Sequence, residues 1–152
     1  MMTLASHPKQ LAMLFAQLVS EVEKQLGRPI CWEVKKSGQW GLYDTGGRTK
    51  RGREKNRAFV RPRASCSGKN PLAKCALPNL LVAVDKKRAN NAGIHTFDAQ
   101  RSRGNRGRPE AYWCIPLGDQ SKLNKVAKNL SAIYRGSLKG LRPFSTISPP
   151  LL

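Results

Sequence analysis

The chain has 152 residues, 39% of them hydrophobic and 7% aromatic, with 28 Lys+Arg against 9 Asp+Glu and a formal net charge of +19. That length suits one domain able to close a core without staples, and no stretch approaches the ~18 uninterrupted apolar residues of a membrane span. A balance this basic is self-repelling and unlike that of an ordinary metabolic enzyme, so it predicts a polyanionic partner, nucleic acid before an anionic membrane surface.

Residues 7–26 read as an amphipathic helix. Leu11, Leu14, Phe15, Leu18, Val19, Val22 and Leu26 recur at the spacing that stacks side chains on one face. Ser6 is the expected cap, Pro8 suits the first turn, and Gly27 with Pro29 ends it. Ile30, Trp32 and Val34 then alternate with Cys31, Glu33 and Lys35. Ser37-Gly38 makes a turn, and Trp40 and Leu42 continue the alternation as a hairpin. Ala58–Arg63 is a short extended piece that Pro62 demotes to an edge or an early stop.

Residues 80–85 are apolar on both parities, which predicts a central strand. Asn90-Asn91-Ala92-Gly93 is turn chemistry. Ile94–Asp98 and Tyr112–Leu117 are further strand candidates. Residues 120–135 give a second amphipathic helix, with Leu123, Val126, Ala127, Leu130, Ile133 and Tyr134 as its stripe and Asp119 or Ser121 as its cap. Its outer face carries Lys122, Lys125, Lys128 and Arg135, a spacing that more often marks a wet face than a phosphate site.

The expected fold class is therefore α+β: one mostly antiparallel β-sheet packed by an N-terminal and a C-terminal amphipathic helix, with long basic loops. Residues 1–140 form the single domain, with Gly/Arg loops at 45–57 and 99–109, and 141–152 are a Pro-rich tail. No secretory or transit segment is expected, because the early apolar run is short and followed by Glu21 and Glu23, so the reading is an intracellular protein with thiol cysteines.

The charge is clustered. Residues 48–63 hold Arg48, Lys50, Arg51, Arg53, Lys55, Arg57, Arg61 and Arg63 against Glu54 alone. Arg101, Arg103, Arg106 and Arg108 follow with no acid among them. A solubility device would be mixed in sign. Clustered Arg with Gly suits phosphate, because the guanidinium fork matches phosphate oxygens and Gly lets the backbone approach. Tyr43, Phe97 and Tyr112 fall on the opposite parity from the apolar residues beside them, which makes them candidates for base stacking on an open sheet face. The bland alternative is a second apolar layer or plain surface tyrosine.

Three chemical alternatives stand beside this reading. Cys66 and Cys75, with His95 and Cys114, supply a set of four for zinc, although eight residues between the first two are not the short knuckle of structural zinc sites. His95 is also the one non-terminal base for RNA cleavage, set against an ordinary sheet histidine. Val84-Asp85-Lys86-Lys87, at the end of an apolar strand, resembles the acid-x-Lys half of the PD-(D/E)xK nuclease family. The resemblance implies Mg²⁺ held by Asp85 and an earlier acid such as Asp44, with Lys87 steadying the attacking water. Asp44 lacks the preceding Pro of that family.

The preferred expectation is a non-catalytic nucleic-acid-binding protein without a cofactor, RNA slightly favoured over DNA since Arg-rich segments often fold on RNA. Other protein subunits of a ribonucleoprotein or DNA-handling complex are further expected partners. A membrane is not expected, because neither helix sets large aromatics opposite a basic face.

Overall fold

The computed structural model describes residues 6–35, 38–48, 54–63, 75, 77–103 and 107–138, with the side chains of 6–7, 43–48, 54–57 and 136–138 outside that description. The 141–152 tail lies outside it too. The elements in chain order are α1 (Ser6–Leu26), β1 (Cys31–Val34), β2 (Trp40–Arg48), β3 (Glu54–Arg63), β4 (Asn79–Asp85), α2 (Lys86–Asn91), β5 (Ala99–Arg101), β6 (Glu110–Pro116) and α3 (Gln120–Leu138). The six strands form one sheet in the order β1-β2-β3-β4-β6-β5, every neighbouring pair antiparallel. This is the α+β architecture expected from the two amphipathic stripes and the alternating segments between them.

Period two along the strands divides the sheet into two faces. Leu42, Ala58, Val60, Leu80, Val82, Val84, Ala111, Trp113 and Ile115 are buried in one cluster with the apolar stripes of α1 and α3 and with Ala89 of α2. All three helices therefore lie on one side. Phe15 of α1 stacks on Trp40 at a centroid separation of 4.4 Å and meets Trp32 edge-on at 5.6 Å, which ties the first helix to the β1–β2 hairpin. Across the β3–β4–β6 pairs, the opposite face carries Phe59, Arg61, Leu81, Ala83, Tyr112 and Cys114.

Several local details depart from the sequence expectations. Pro62 does not make β3 an edge: β3 lies between β2 and β4. The last β2 pair is Trp40↔Val60, so Pro62 sits where only β4 flanks the strand, opposite Leu80, and its missing N–H breaks no ladder to β2. The expected turn at 90–93 begins inside a short helix absent from the sequence expectation, α2, which takes in Asn90 and Asn91 and is capped by Ala92, with Gly93 following at φ 84° where a β-carbon would be strained. Ile94–Asp98 is not a strand. It is a connection whose Ile94 and Phe97 pack against the core, and β5 begins only at Ala99. Strands β2 and β3 extend into the first basic segment as far as the Arg48↔Glu54 pair.

Asp98 joins three elements. Its Oδ2 accepts from the Cys114 N–H at 2.8 Å and lies 2.7 Å from Lys122 Nζ, which links the β5 approach to β6 and to the first turn of α3. Asp119 Oδ1 caps α3 by accepting from the Lys122 N–H at 3.0 Å. Leu130 is fully buried between the helices and the sheet. Leu130→Ala removes that filling, and a loss of about 2–5 kcal/mol is expected. The measurement is urea unfolding, read as a lower midpoint at an unchanged slope.

Candidate functional site

On the face that bears none of the described helices, the helix-free face, the side-chain rows run across the strands. One row is Phe59 on β3, Ala83 on β4 and Tyr112 on β6. The next is Arg61, Leu81 and Cys114. Because Ala83 is small, the row leaves a gap between two rings about two strand spacings apart, roughly 9–10 Å. That gap is the floor of a depression of about 80 Å³, rimmed by Gln39, Arg61, Arg101 and Glu110. Arg61 and Arg101 are exposed, Phe59 is half-buried, and Tyr112 is only 3% exposed.

Tyr112 is locked in place. Its hydroxyl donates to Glu110 Oε1 at 2.6 Å. Burial, and then the carboxylate of Glu110, push the Tyr112 phenol up to about 12, while Arg101 beside it acts in the opposite direction. Arg101 and Glu110 are cross-strand partners on β5 and β6, so a guanidinium and a carboxylate stand side by side at the rim. One end of the depression thus presents donors, acceptors and an aromatic floor together.

Beyond the Arg61 row, Arg63 Nε donates to the buried Asn79 Oδ1 at 2.8 Å, and Arg63 Nη2 lies 3.6 Å from Cys114 Sγ. Burial and the nearby Cys75 push the Cys114 thiol up to about 11, against the pull of Arg63. Arg63 is therefore an anchoring side chain of the face. At the opposite end, burial and the charge of Arg108 lower the Arg88 guanidinium, a sign of concentrated positive charge where β4 meets α2.

Of the residues singled out from the sequence, Arg61, Arg63, Arg101 and Tyr112 lie on this face, and Arg103 and Arg108 are exposed beside its β5–β6 edge. The side chains of Tyr43, Asp44, Arg48, Lys50, Arg51, Arg53, Lys55, Arg57, Cys66 and Arg106 lie outside the described residues. Phe97 sits apart from the face, its ring 5.5 Å from Trp113 on the helix side. His95 is exposed, with Nδ1 3.1 Å from Asn90 Oδ1. Among the described residues no three His, Cys, Asp or Glu side chains gather as a metal site, although Cys75 and Cys114 are close enough to influence each other. On α3, Lys122 is paired with Asp98, Arg135 is exposed and donates to the Gln25 carbonyl, and Lys125 and Lys128 are exposed.

Asp85 is the N-cap of α2. Its Oδ1 accepts from the Lys87 N–H at 2.9 Å and the Arg88 N–H at 3.4 Å, and its Oδ2 lies 3.7 Å from Arg108. The strand ends at Asp85, so Lys87 is helical and does not share a strand face with it, as an acid-x-Lys pair on one strand would. The cross-strand neighbour of Asp85 is Glu110.

Phe59 and Glu110 are the site residues that the sequence reading missed. Phe59 was visible as an aromatic on the parity opposite Ala58 and Val60. Glu110 was two residues before Tyr112, the same-face interval, but stood before the expected strand start. No protein-family model matches this chain, and no curated protein or solved structure matches it.

Two measurements test this geometry. The fold favours the neutral Tyr112 phenol, so its stabilisation is complete below the ordinary value of 10.0 and is lost as pH rises toward about 12. Stability is expected to fall across that window in the parent chain and to fall less in Tyr112→Phe. Asp85→Ala is expected to cost about 1 kcal/mol in chemical denaturation, and Asp85→Asn much less, because Asn caps a helix as well as Asp does.

Proposed function

We propose that this is a nucleic-acid-binding protein that lays a single strand across the helix-free face of its sheet. The observation that carries the reading is the pair of exposed guanidinium groups, Arg61 and Arg101, flanking a depression that holds Phe59 and Tyr112. Arg forks suit phosphate oxygens, and a half-buried aromatic beside them suits an unstacked base. The remaining charge supports it. With a net +19, the chain gains from releasing counterions when phosphates replace them. The Arg-rich segments 48–63 and 101–108 contribute Arg48, Glu54–Arg63 and Arg101 to strands of this sheet.

A flat sheet face with rings and cations fits a splayed single strand better than a duplex, whose bases are hidden in the stack. RNA remains the favoured polymer, as part of a ribonucleoprotein or another nucleic-acid-handling complex. The role is binding: the one acid of the Asp85-x-Lys87 segment already caps a helix and pairs with Arg108.

The test is fluorescence anisotropy with labelled single-stranded RNA, single-stranded DNA and duplex DNA at several salt concentrations. Single strands are expected to bind more tightly than duplex. On an oligouridine strand, the double variant Arg61→Ala/Arg101→Ala should lose roughly tenfold in affinity at low salt and lower the salt slope by about 1.4, the share of two single-strand phosphate contacts. Unchanged affinity and slope in the double variant would overturn the assignment of the face.

A further inference from the structure

The rim of the depression holds an acid where a polyanion-binding face would be expected to hold none. Glu110 stands between Asp85 on β4 and Arg101 on β5. Asp85 is directed to the α2 cap and Arg108 and does not line the depression. Glu110 does line it, and Tyr112 holds it there by donating to Oε1 at 2.6 Å. A carboxylate has about four lone-pair sites, so that contact leaves acceptor capacity on both oxygens. Arg101, its cross-strand partner, offers a donor fork from the next strand.

Guanine is the standard base whose edge matches this pair of groups twice over. Its N1–H and N2–H are adjacent donors for one carboxylate, and its O6 and N7 are adjacent acceptors for one guanidinium. Cytosine offers two adjacent acceptors but a single exocyclic donor group, adenine interleaves donor and acceptor, and uracil separates its two carbonyls by its one N–H. We propose that the depression is a base-reading subsite for guanine, with Glu110 on the N1/N2 edge, Arg101 turned from phosphate onto O6/N7 where a guanine is present, and the ring seated over Ala83 beside Phe59. This rests on the reading of the helix-free face as a nucleic-acid surface and adds to it a preferred base.

The experiment compares a short labelled oligouridine with the same oligomer carrying one central guanosine, and adds unlabelled GMP or UMP as competitor. The guanosine oligomer is expected to bind about tenfold more tightly, the discrimination of one good bidentate pair. In Glu110→Gln that preference should fall to about twofold or less while oligouridine binds more tightly, because an acid has left a phosphate-facing surface. Glutamine keeps an acceptor for the Tyr112 hydroxyl, so the fold is retained. Ala83→Leu provides a second route: it fills the gap from its floor and should likewise erase the preference.

Competition by GMP over UMP supports the same edge recognition in a free nucleotide, and a preference seen only in the oligomer supports it in the polymer. Equal affinity for both oligomers would overturn the guanine subsite while leaving the binding face intact. Failure of both oligomers to bind would overturn the face itself and the subsite with it.

Discussion

Period two along β3, β4 and β6 assigns each side chain to one of two faces, and the described helices cover one of them. α1, α2 and α3 all pack on the Leu42–Val60–Val82–Trp113 side. The other side must then be closed by its own side chains or by something else. Here the sheet uses a mixed solution. Leu81, Tyr112 and Cys114 are buried, Phe59 and Ala83 are half-buried, and Arg61 and Arg101 stand exposed above them. Apolar floor and cationic rim are thus consequences of one geometric fact, the single-sided placement of the helices.

The acids follow a similar logic. With nine acidic against 28 basic side chains, each acid has a choice of cations, yet three of the aspartates serve backbone geometry first. Asp85 caps α2, Asp119 caps α3, and Asp98 fixes the Cys114 backbone while pairing with Lys122. Such exposed pairs contribute little stability in themselves. Their effect is positional: they set where β4 turns into helix and where β6 hands over to α3. Much of the positive charge is left uncompensated within the chain, which makes a polyanion the natural complement.

The helices and the central strand were legible because their patterns are long and regular. Leu11 to Leu26 and Leu123 to Tyr134 repeat at helical spacing over several turns, and Leu80–Asp85 is apolar on both parities, as a strand with covered neighbours requires. The short α2 was hidden because it lies between a strand-end aspartate and an Asn-Gly turn and has only Ala89 buried. Its signal was Asp85 itself, an N-cap that also fitted the nuclease resemblance. Pro62 misled because a proline rule applies to a strand as a whole, whereas β2 has already ended at that position. Phe97 and Tyr112 looked alike by parity. Only the register separates them, since Phe97 precedes β5 and turns onto Trp113, while Tyr112 lies within β6. The pairing of Arg101 with Glu110 depends on which strands become neighbours, and no local pattern carries that information.

The central claim is that nucleic acid lies on the side of the sheet that the helices leave open. Amide and side-chain chemical shifts followed during titration with single-stranded RNA test it most directly. The account predicts perturbations concentrated at Phe59, Arg61, Ala83, Arg101, Glu110 and Tyr112, with the exposed flank of α1 and α3, including Lys125 and Lys128, little changed. Perturbations centred on α3 with the β3–β4–β6 face silent would contradict it.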